Sequence, residues 1–229
     1  MPRDTVVLVP AAGRGERLGP GSPKALRVLR GDPLLLHAVR RIAAAESVAA
    51  IVVAAPAGAE SAVRDLLAPA VGAVHLVVVA GGATREESVG LALAAAPAGH
   101  AVVLVHDAAR CLCPPELADE VAAAVRGGHD AVVPVLPVSD TVKQVDGGGA
   151  VVATPDRATL RAVQTPQGFR REVLARAYEA AAAGDTWTDD ASLVERYGTV
   201  VHTIPGREEA MKVTRPFDLL VAEIVLDRA

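Results

Sequence analysis

Three stretches of this chain carry residue types suited to gripping phosphates or the divalent cation that accompanies them. The first is Pro10-Ala11-Ala12-Gly13-Arg14-Gly15-Glu16-Arg17-Leu18-Gly19, followed by Ser22-Pro23-Lys24. Small residues leave backbone N–H groups uncovered, and glycine permits the tight path that turns several of them toward one anion. Arg17 and Lys24 add charge, so phosphate binding is the chemistry this stretch suggests. A plain surface loop is the alternative, and two cations with three glycines directly after an apolar run weigh against it. The stretch is not a P-loop, because Lys24 follows Pro23 and no G-K-[ST] occurs. Nor does its G-x-G-x-x-x-G spacing fit the dinucleotide fingerprint, and the next apolar run ends Ala54-Ala55-Pro56 without the acid that holds a ribose.

The second stretch is Gly81-Gly82-Ala83-Thr84-Arg85-Glu86-Glu87-Ser88. Its glycines allow close backbone approach, and the Ser88 hydroxyl can face the same cleft; an ordinary turn and helix cap reads equally well. Arg85 could point inward or pair with a neighbouring Glu. The third is His106-Asp107-Ala108-Ala109-Arg110, where a carboxylate ends an apolar run. Among phosphates such a group is placed to hold Mg²⁺, which takes oxygen ligands from one or two carboxylates and from substrate. The alternatives are an Asp that caps the next segment or pairs with Arg110. His106 has no partner at metal-ligand spacing and reads as structural. Later candidates, each with a bland reading as turn, cap or surface charge, are Thr141, Lys143, Asp156, Arg157, Thr165-Pro166-Gln167, Thr188-Asp189-Asp190, Arg207 and Lys212.

The elements that must position these residues alternate. Strands are expected at Thr5–Pro10, Ala50–Ala55, Val74–Ala80, Ala101–His106, Ala131–Pro137 and Thr199–Ile204. Helices are expected at Pro33–Ser47, Ala59–Leu67, Arg85–Ala95, Pro114–Arg126, Arg170–Ala183, Asp189–Arg196 and Pro216–Asp227. Several strands are apolar throughout, as in sheets covered on both faces. The pattern predicts an α/β fold with a doubly wound, mostly parallel, Rossmann-like sheet, and ligands in such sheets bind beyond the carboxyl ends of the strands. Ser139–Thr154 breaks the rhythm with two short strands, Asp140–Val145 and Ala150–Thr154, around Asp146-Gly147-Gly148-Gly149. That is a hairpin signal, and an isolated hairpin needs something to pack on: its own sheet or a second subunit. Residues 1–229 are read as one domain, with 138–157 a protruding arm.

Composition limits the function classes. Net charge is −4 with a pI near 5.9, which gives no general attraction for nucleic acid. Yet Arg3, Arg14, Arg17, Lys24, Arg27 and Arg30 face only Asp4 and Glu16 in the first thirty residues, a local excess that suits a small anionic ligand. Only Lys24, Lys143 and Lys212 are lysine among 23 basic side chains; either they stand where a compact mobile charge is wanted over a planar fork, or chance alone left three. Cys111 and Cys113 are too close for an unstrained disulfide and read as small core fillers. No run is long enough to span a bilayer, and Met1-Pro2-Arg3-Asp4 leads straight into a strand, so a cytoplasmic location without membrane attachment is expected.

Taken together, Pro10-Ala11-Ala12-Gly13-x-Gly15-x-Arg17 with Pro23-Lys24 resembles the signature of GT-A-like nucleotidyltransferases. The ordered set Gly81-Gly82-x-x-Arg85-x-x-Ser88, His106-Asp107-Ala108-Ala109-Arg110, Asp140-Thr141-x-Lys143, Asp156-Arg157, Thr165-Pro166-Gln167, Thr188-Asp189-Asp190 and Lys212-Val213-Thr214 is similar to the 2-C-methyl-D-erythritol 4-phosphate cytidylyltransferases. The likeness runs from about Val6 to Glu223. It implies an enzyme that joins CTP to a small polyol phosphate, releases pyrophosphate and uses Mg²⁺ or another divalent cation. By the same resemblance, Arg17 and Lys24 stabilise charge on the α-phosphate, and Arg157 and Lys212 position the acceptor phosphate beside Thr141. Backbone from Ala11, Ala12 and Gly82, with Ser88, would recognise the cytosine, while Asp107 and Ala108 lie near the ribose and metal. The arm would clasp a second subunit, so Thr141 and Arg157 would complete the neighbour's site in a homodimer.

The sequence departs from the family pattern at Cys111, where proline is usual, and at Ala83, where an acid is common. One alternative, a ribitol 5-phosphate cytidylyltransferase, shares most of these motifs; a second, a non-catalytic nucleotide-binding subunit, has intact Arg17, Lys24, Asp107, Arg157 and Lys212 against it.

Overall fold

The computed structural model describes residues 2–13, 23–181 and 187–227. Gly15 and Arg17 lie outside the described residues. Along the chain come β1 (Thr5–Pro10), β2 (Val28–Leu29), β3 (Asp32–Pro33), α1 (Leu34–Ala43), β4 (Val48–Ala55), α2 (Glu60–Leu67), β5 (His75–Ala80), α3 (Arg85–Ala94), β6 (Val102–Val105), α4 (Pro115–Arg126), β7 (Ala131–Pro137), β8 (Gln144–Val145), β9 (Val151–Ala153), β10 (Arg161–Val163), β11 (Gln167–Arg170), α5 (Arg171–Ala180), α6 (Asp190–Arg196), β12 (Val201–Pro205) and α7 (Pro216–Leu226).

Strands β5, β4, β1 and β6 lie side by side and parallel, and β12 runs parallel to β7. Between β6 and β7 sits β11, antiparallel to both, and β10 pairs antiparallel with the outer residues of β7. The sheet is therefore mixed, with a parallel centre. Its two faces are both apolar. Along β1, Val7 and Val9 pack with Val39, Val63 and Val121 of α1, α2 and α4, whereas Val6 and Leu8 pack with Val89, Leu174 and Leu193 of α3, α5 and α6. Alternate side chains of a strand point to opposite faces, so an unbroken apolar run feeds two cores at once.

Gly168 shows why β11 fits where no apolar run announced it. A Cβ there would run into Val121 Cγ1 of α4 and lie 3.1 Å from Leu104 Cδ2. Glycine lets α4 settle directly onto the sheet at the antiparallel insertion.

A smaller cluster of Leu29, Leu34, Cys111, Leu112, Val213 and Ala222 fixes the segment that carries Lys212 against α1 and α7. Cys111 and Cys113 are free and buried, and burial pushes their thiols up to about 11 and about 12, so they serve as fillers. Elsewhere α7 is apolar nearly all round, yet only Ala222 is buried; Phe217, Leu220 and Ile224 are exposed.

The hairpin forms, with strands shorter than the pattern suggested: β8 and β9 make a separate two-stranded sheet. Asp146 Oδ1 accepts from the Gly148 and Ala150 amides at 2.9 Å and shapes its tip. From Ser139 to Val163 all residues are exposed except the half-buried Pro155 and Leu160, and Val145, Val151 and Val152 face outward.

Candidate active site

The carboxyl ends of β1, β4, β5 and β6 open onto one cleft of about 1150 Å³, somewhat above the size usual for small-ligand sites. Pro10, Ala11, Ala12 and Gly13 line it, as do Lys24, Gly81, Gly82, Arg85, Ser88, Asp107, Ala108 and Lys212. Thus, among the described residues, Ala11, Ala12, Gly13, Lys24, Gly82, Ser88, Asp107 and Lys212 converge, whereas those on the arm do not. Pro56 and Ala57 line the cleft where a dinucleotide site would need an acid.

Backbone bonds set the glycine loops. The Ala11 amide donates to the Ala54 carbonyl at 2.8 Å, and the Gly81 amide to the Ala55 carbonyl at 2.7 Å, so both loops are extensions of their strands. A Cβ on Gly81 would lie 2.5 Å from Ala12 Cβ. Two nucleotide-loop candidates are thus in direct contact, and a side chain at position 81 would wedge them apart. Ser88 is buried; its hydroxyl donates to the Thr84 carbonyl at 2.8 Å and accepts from the Gly82 amide at 3.1 Å. The turn-and-cap reading of that segment holds, since Thr84 caps α3 through the Glu87 amide at 3.1 Å, and the same segment lines the cleft. Ser88 shapes the Gly82 loop, with its hydroxyl already engaged inside the protein.

The charged centre of the cleft is Asp107. Its Oδ1 accepts from Arg85 Nε at 3.1 Å and its Oδ2 from Lys212 Nζ at 2.6 Å. Burial alone would raise the carboxyl, but Arg85 and then Lys212 outweigh it and hold Asp107 well below the usual carboxylate range. The Asp107 amide donates to Thr165 Oγ1 at 3.0 Å, which fixes the strand end. Thr165 Oγ1 also lies 3.2 Å from Nδ1 of His106, a buried imidazole that desolvation pushes down to about 4. His106 is therefore structural, as its isolation in sequence suggested.

Arg85 decides between its two sequence readings in favour of the interior. Besides Asp107 it reaches Asp190 Oδ2 through Nη2 at 2.7 Å, and Tyr178 donates its hydroxyl to Asp190 Oδ1 at 2.6 Å. Between two carboxylates the half-buried guanidinium stays charged, its value raised despite desolvation. Arg110 does not bond the Asp107 side chain. It donates to the Ala210 and Val163 carbonyls at 2.7 and 2.9 Å, tying the end of β6 to the Lys212 segment and to β10. The Val213 amide completes that tie to the Ala109 carbonyl at 2.8 Å.

Thr141 and Arg157 stand apart. Both are exposed on the arm, neither lines the cleft, and Arg157 donates to the Ser139 carbonyl. Asp156 caps the turn beside it through the Ala158 amide at 3.0 Å. Gln167 and Asp189 pair at 2.7 Å and organise the start of α6, so their late motifs are structural. Sequence reasoning missed Tyr178 altogether and named Asp190 only within a late motif, without its partner Arg85; only contact distant in sequence reveals these links.

Comparisons with known proteins identify the family. A family model described as 2-C-methyl-D-erythritol 4-phosphate cytidylyltransferase matches residues 5–228. The chain is 55% identical to the protein of that name from Streptomyces avermitilis, covering 98% of this chain and 92% of that one. It is 58% identical to its namesake from Frankia casuarinae, covering 96% and 80%. Among solved structures, 2-C-methyl-D-erythritol 4-phosphate cytidylyltransferase from Thermus thermophilus aligns with a TM-score of 0.78 at 34% identity, covering 100% of each chain. The 4-diphosphocytidyl-2C-methyl-D-erythritol synthase from Anaerococcus prevotii aligns at 0.84 with 26% identity, covering 98% of each chain. With nearly its whole length matched in sequence and in fold, this chain belongs to the 2-C-methyl-D-erythritol 4-phosphate cytidylyltransferase family.

Proposed function

We propose that this chain transfers the cytidylyl group of CTP to 2-C-methyl-D-erythritol 4-phosphate, forming 4-diphosphocytidyl-2-C-methyl-D-erythritol and pyrophosphate, a step toward isoprenoid precursors. The observation that carries the reading is the meeting of Lys24, Asp107 and Lys212 with two glycine loops in one cleft. An oxygen of the acceptor phosphate attacks the α-phosphorus, and the bond from that phosphorus to the bridging oxygen breaks, releasing pyrophosphate. The nucleophile is already an anion, so no Ser–His or Cys–His pair is required. The protein's tasks are to hold two anions in line and to offset charge at phosphorus. The close backbone approach that the Gly13 and Gly82 loops permit suits the nucleotide, Lys24 suits the α-phosphate, and Lys212 suits the acceptor phosphate.

Among the described residues no three His, Cys, Asp or Glu side chains are grouped to cage a metal. Of the described residues that line the cleft, Asp107 alone carries a carboxylate, which fits a Mg²⁺ ion that takes its other ligands from triphosphate and water. Bound there, the ion would offset charge on the triphosphate. Asp107 is already held by Arg85 and Lys212, so it would receive such a complex without reorganising its backbone.

The reading extends to a homodimer. A two-stranded hairpin with nothing packed on it is not stable in water, and the arm displays Val145, Val151 and Val152 to solvent. A second copy that accepts the arm would cover these valines and bring Thr141 and Arg157 to the neighbour's Lys212. Among the described residues no helix is long and apolar enough to cross a membrane.

The test is pyrophosphate release with each of the four ribonucleoside triphosphates, against 2-C-methyl-D-erythritol 4-phosphate and ribitol 5-phosphate. Turnover is expected with CTP and the first acceptor. Preference for ribitol 5-phosphate, or no pyrophosphate with any pair, would overturn the assignment.

A further inference from the structure

Neither Tyr178 nor Asp190 lines the cleft, yet a continuous series of short polar contacts joins them to it. From Tyr178 Oη to Asp190 Oδ1 is 2.6 Å, from Asp190 Oδ2 to Arg85 Nη2 is 2.7 Å, from Arg85 Nε to Asp107 Oδ1 is 3.1 Å, and from Asp107 Oδ2 to Lys212 Nζ is 2.6 Å. Asp190 has no exposed surface at all, and a buried carboxylate is tolerated only when its oxygens are answered. Here they are answered by Tyr178 and Arg85. The series alternates hydroxyl, anion, cation, anion and cation, ending on the ammonium that the proposed reaction needs for its acceptor.

Alternation has a consequence that simple packing lacks. Arg85 divides its donors between Asp190 and Asp107, and Asp107 divides its oxygens between Arg85 and Lys212. Strengthening one link weakens the next. We propose that Tyr178 and Asp190 are positioning residues that act through Arg85 to set how tightly Asp107 holds Lys212, and hence how readily the ammonium turns to an acceptor phosphate. The part about the acceptor rests on the function proposed above; the part about Lys212 does not.

Opposite effects follow from two mild substitutions. In Tyr178→Phe, Asp190 loses a donor and draws Arg85 toward itself; Asp107 then leans harder on Lys212. In Asp190→Asn, the competing anion is gone, Arg85 turns more fully to Asp107, and Lys212 is loosened. The chain has only three lysines, and Lys143 on the arm bonds Thr154 Oγ1 at 2.8 Å, outside the Tyr178–Lys212 series of its own subunit, so it serves as the internal standard.

The full-length protein is therefore treated with trace acetic anhydride, and acetylation of Lys212 relative to Lys143 is read by peptide mass spectrometry. Relative to wild type, Lys212 should react about threefold more slowly in Tyr178→Phe and about threefold faster in Asp190→Asn, the scale of one redistributed hydrogen bond. Shifts in the same direction, or no shift in either, would overturn the proposal. If Asp190→Asn does not fold by circular dichroism, slower reaction in Tyr178→Phe supports the proposal and an unchanged rate overturns it. In turnover assays Tyr178→Phe should raise KM for the acceptor phosphate while leaving KM for CTP alone; equal changes in both would argue for a packing role and against this one. A wild type without turnover would sink the assigned function while leaving the acetylation result to decide the coupling.

Discussion

The Lys24 amide donates to the Gly13 carbonyl at 3.2 Å, so the chain returns to the end of β1 after the glycine-rich stretch and places Lys24 at the mouth of the cleft. A lysine on a short 3₁₀ turn, Lys24–Leu26, begun by Pro23, has its backbone fixed while its side chain keeps reach. That combination suits a charge needed most at the transition state.

Replacement of Lys24 by alanine should accordingly lower kcat by a hundredfold or more, about 3 kcal/mol, by analogy with loss of one oxyanion donor. KM for CTP should change much less. Steady-state assays at saturating CTP decide it, and wild-type turnover there would remove Lys24 from the chemistry.

Gly81→Ala addresses the contact between the two loops. Its Cβ would fall 2.5 Å from Ala12 Cβ and 3.1 Å from the Ala55 carbonyl oxygen, so the Ala12 loop must give way. Overpacking of this kind costs about 1–3 kcal/mol. Calorimetric titration should show CTP binding weakened about tenfold or more, a loss on that scale, and unchanged affinity would mean that the Ala12 backbone does not bear on the nucleotide.

Acidification should weaken the fold through His106. Its folded value lies near 4 against 6.5 for an ordinary imidazole, because burial disfavours the charged ring. Between those values the unfolded chain binds the proton and the folded one does not, so stability is full above pH 6.5 and falls toward pH 4, by on the order of 3 kcal/mol. Asp107 contributes nothing in that window; its stabilisation is present above its ordinary value of 3.8 and is lost only below it. Urea unfolding of wild type and His106→Phe between pH 8 and pH 4 should show a slope in the first that is much reduced in the second.

Mixing inactive variants tests the arm. Arg157→Ala and Lys212→Ala subunits, each inactive alone, should form hybrids with one intact site if the arm acts across a two-fold axis, restoring about a quarter of wild-type activity in an equal mixture. No recovery after confirmed subunit exchange would place Arg157 outside the neighbour's site.

How far the sequence reached differs from element to element. Strands β1 and β7 have the bounds that their continuous apolar runs announced. Helix α1 stops at Ala43, four residues before the expected end. The Ala-rich segment beyond it favours helix locally, but the Glu46 and Ser47 amides donate instead to the Asp119 carboxylate at 3.0 and 2.8 Å. A side chain from α4 thus ends a helix that local preference would have continued. Strand β11 left no periodic signal, since four residues with a glycine among them are made a strand only by β6 and β7 on either side.

By itself the sequence determined the sheet, its parallel centre and the two glycine loops with Lys24 and Asp107, because apolar periodicity, glycine and charge act over a few residues. Tertiary structure alone decided that Arg85 faces Asp107 and Asp190 instead of its neighbouring glutamates, that Lys212 closes on Asp107, and that Tyr178 stands behind them. Those choices depend on which charges are buried together, and burial is settled by chain segments more than a hundred residues apart in the cases of Asp190 and Lys212. Desolvation sets the outcome: a buried charge must find its opposite wherever the fold brings one.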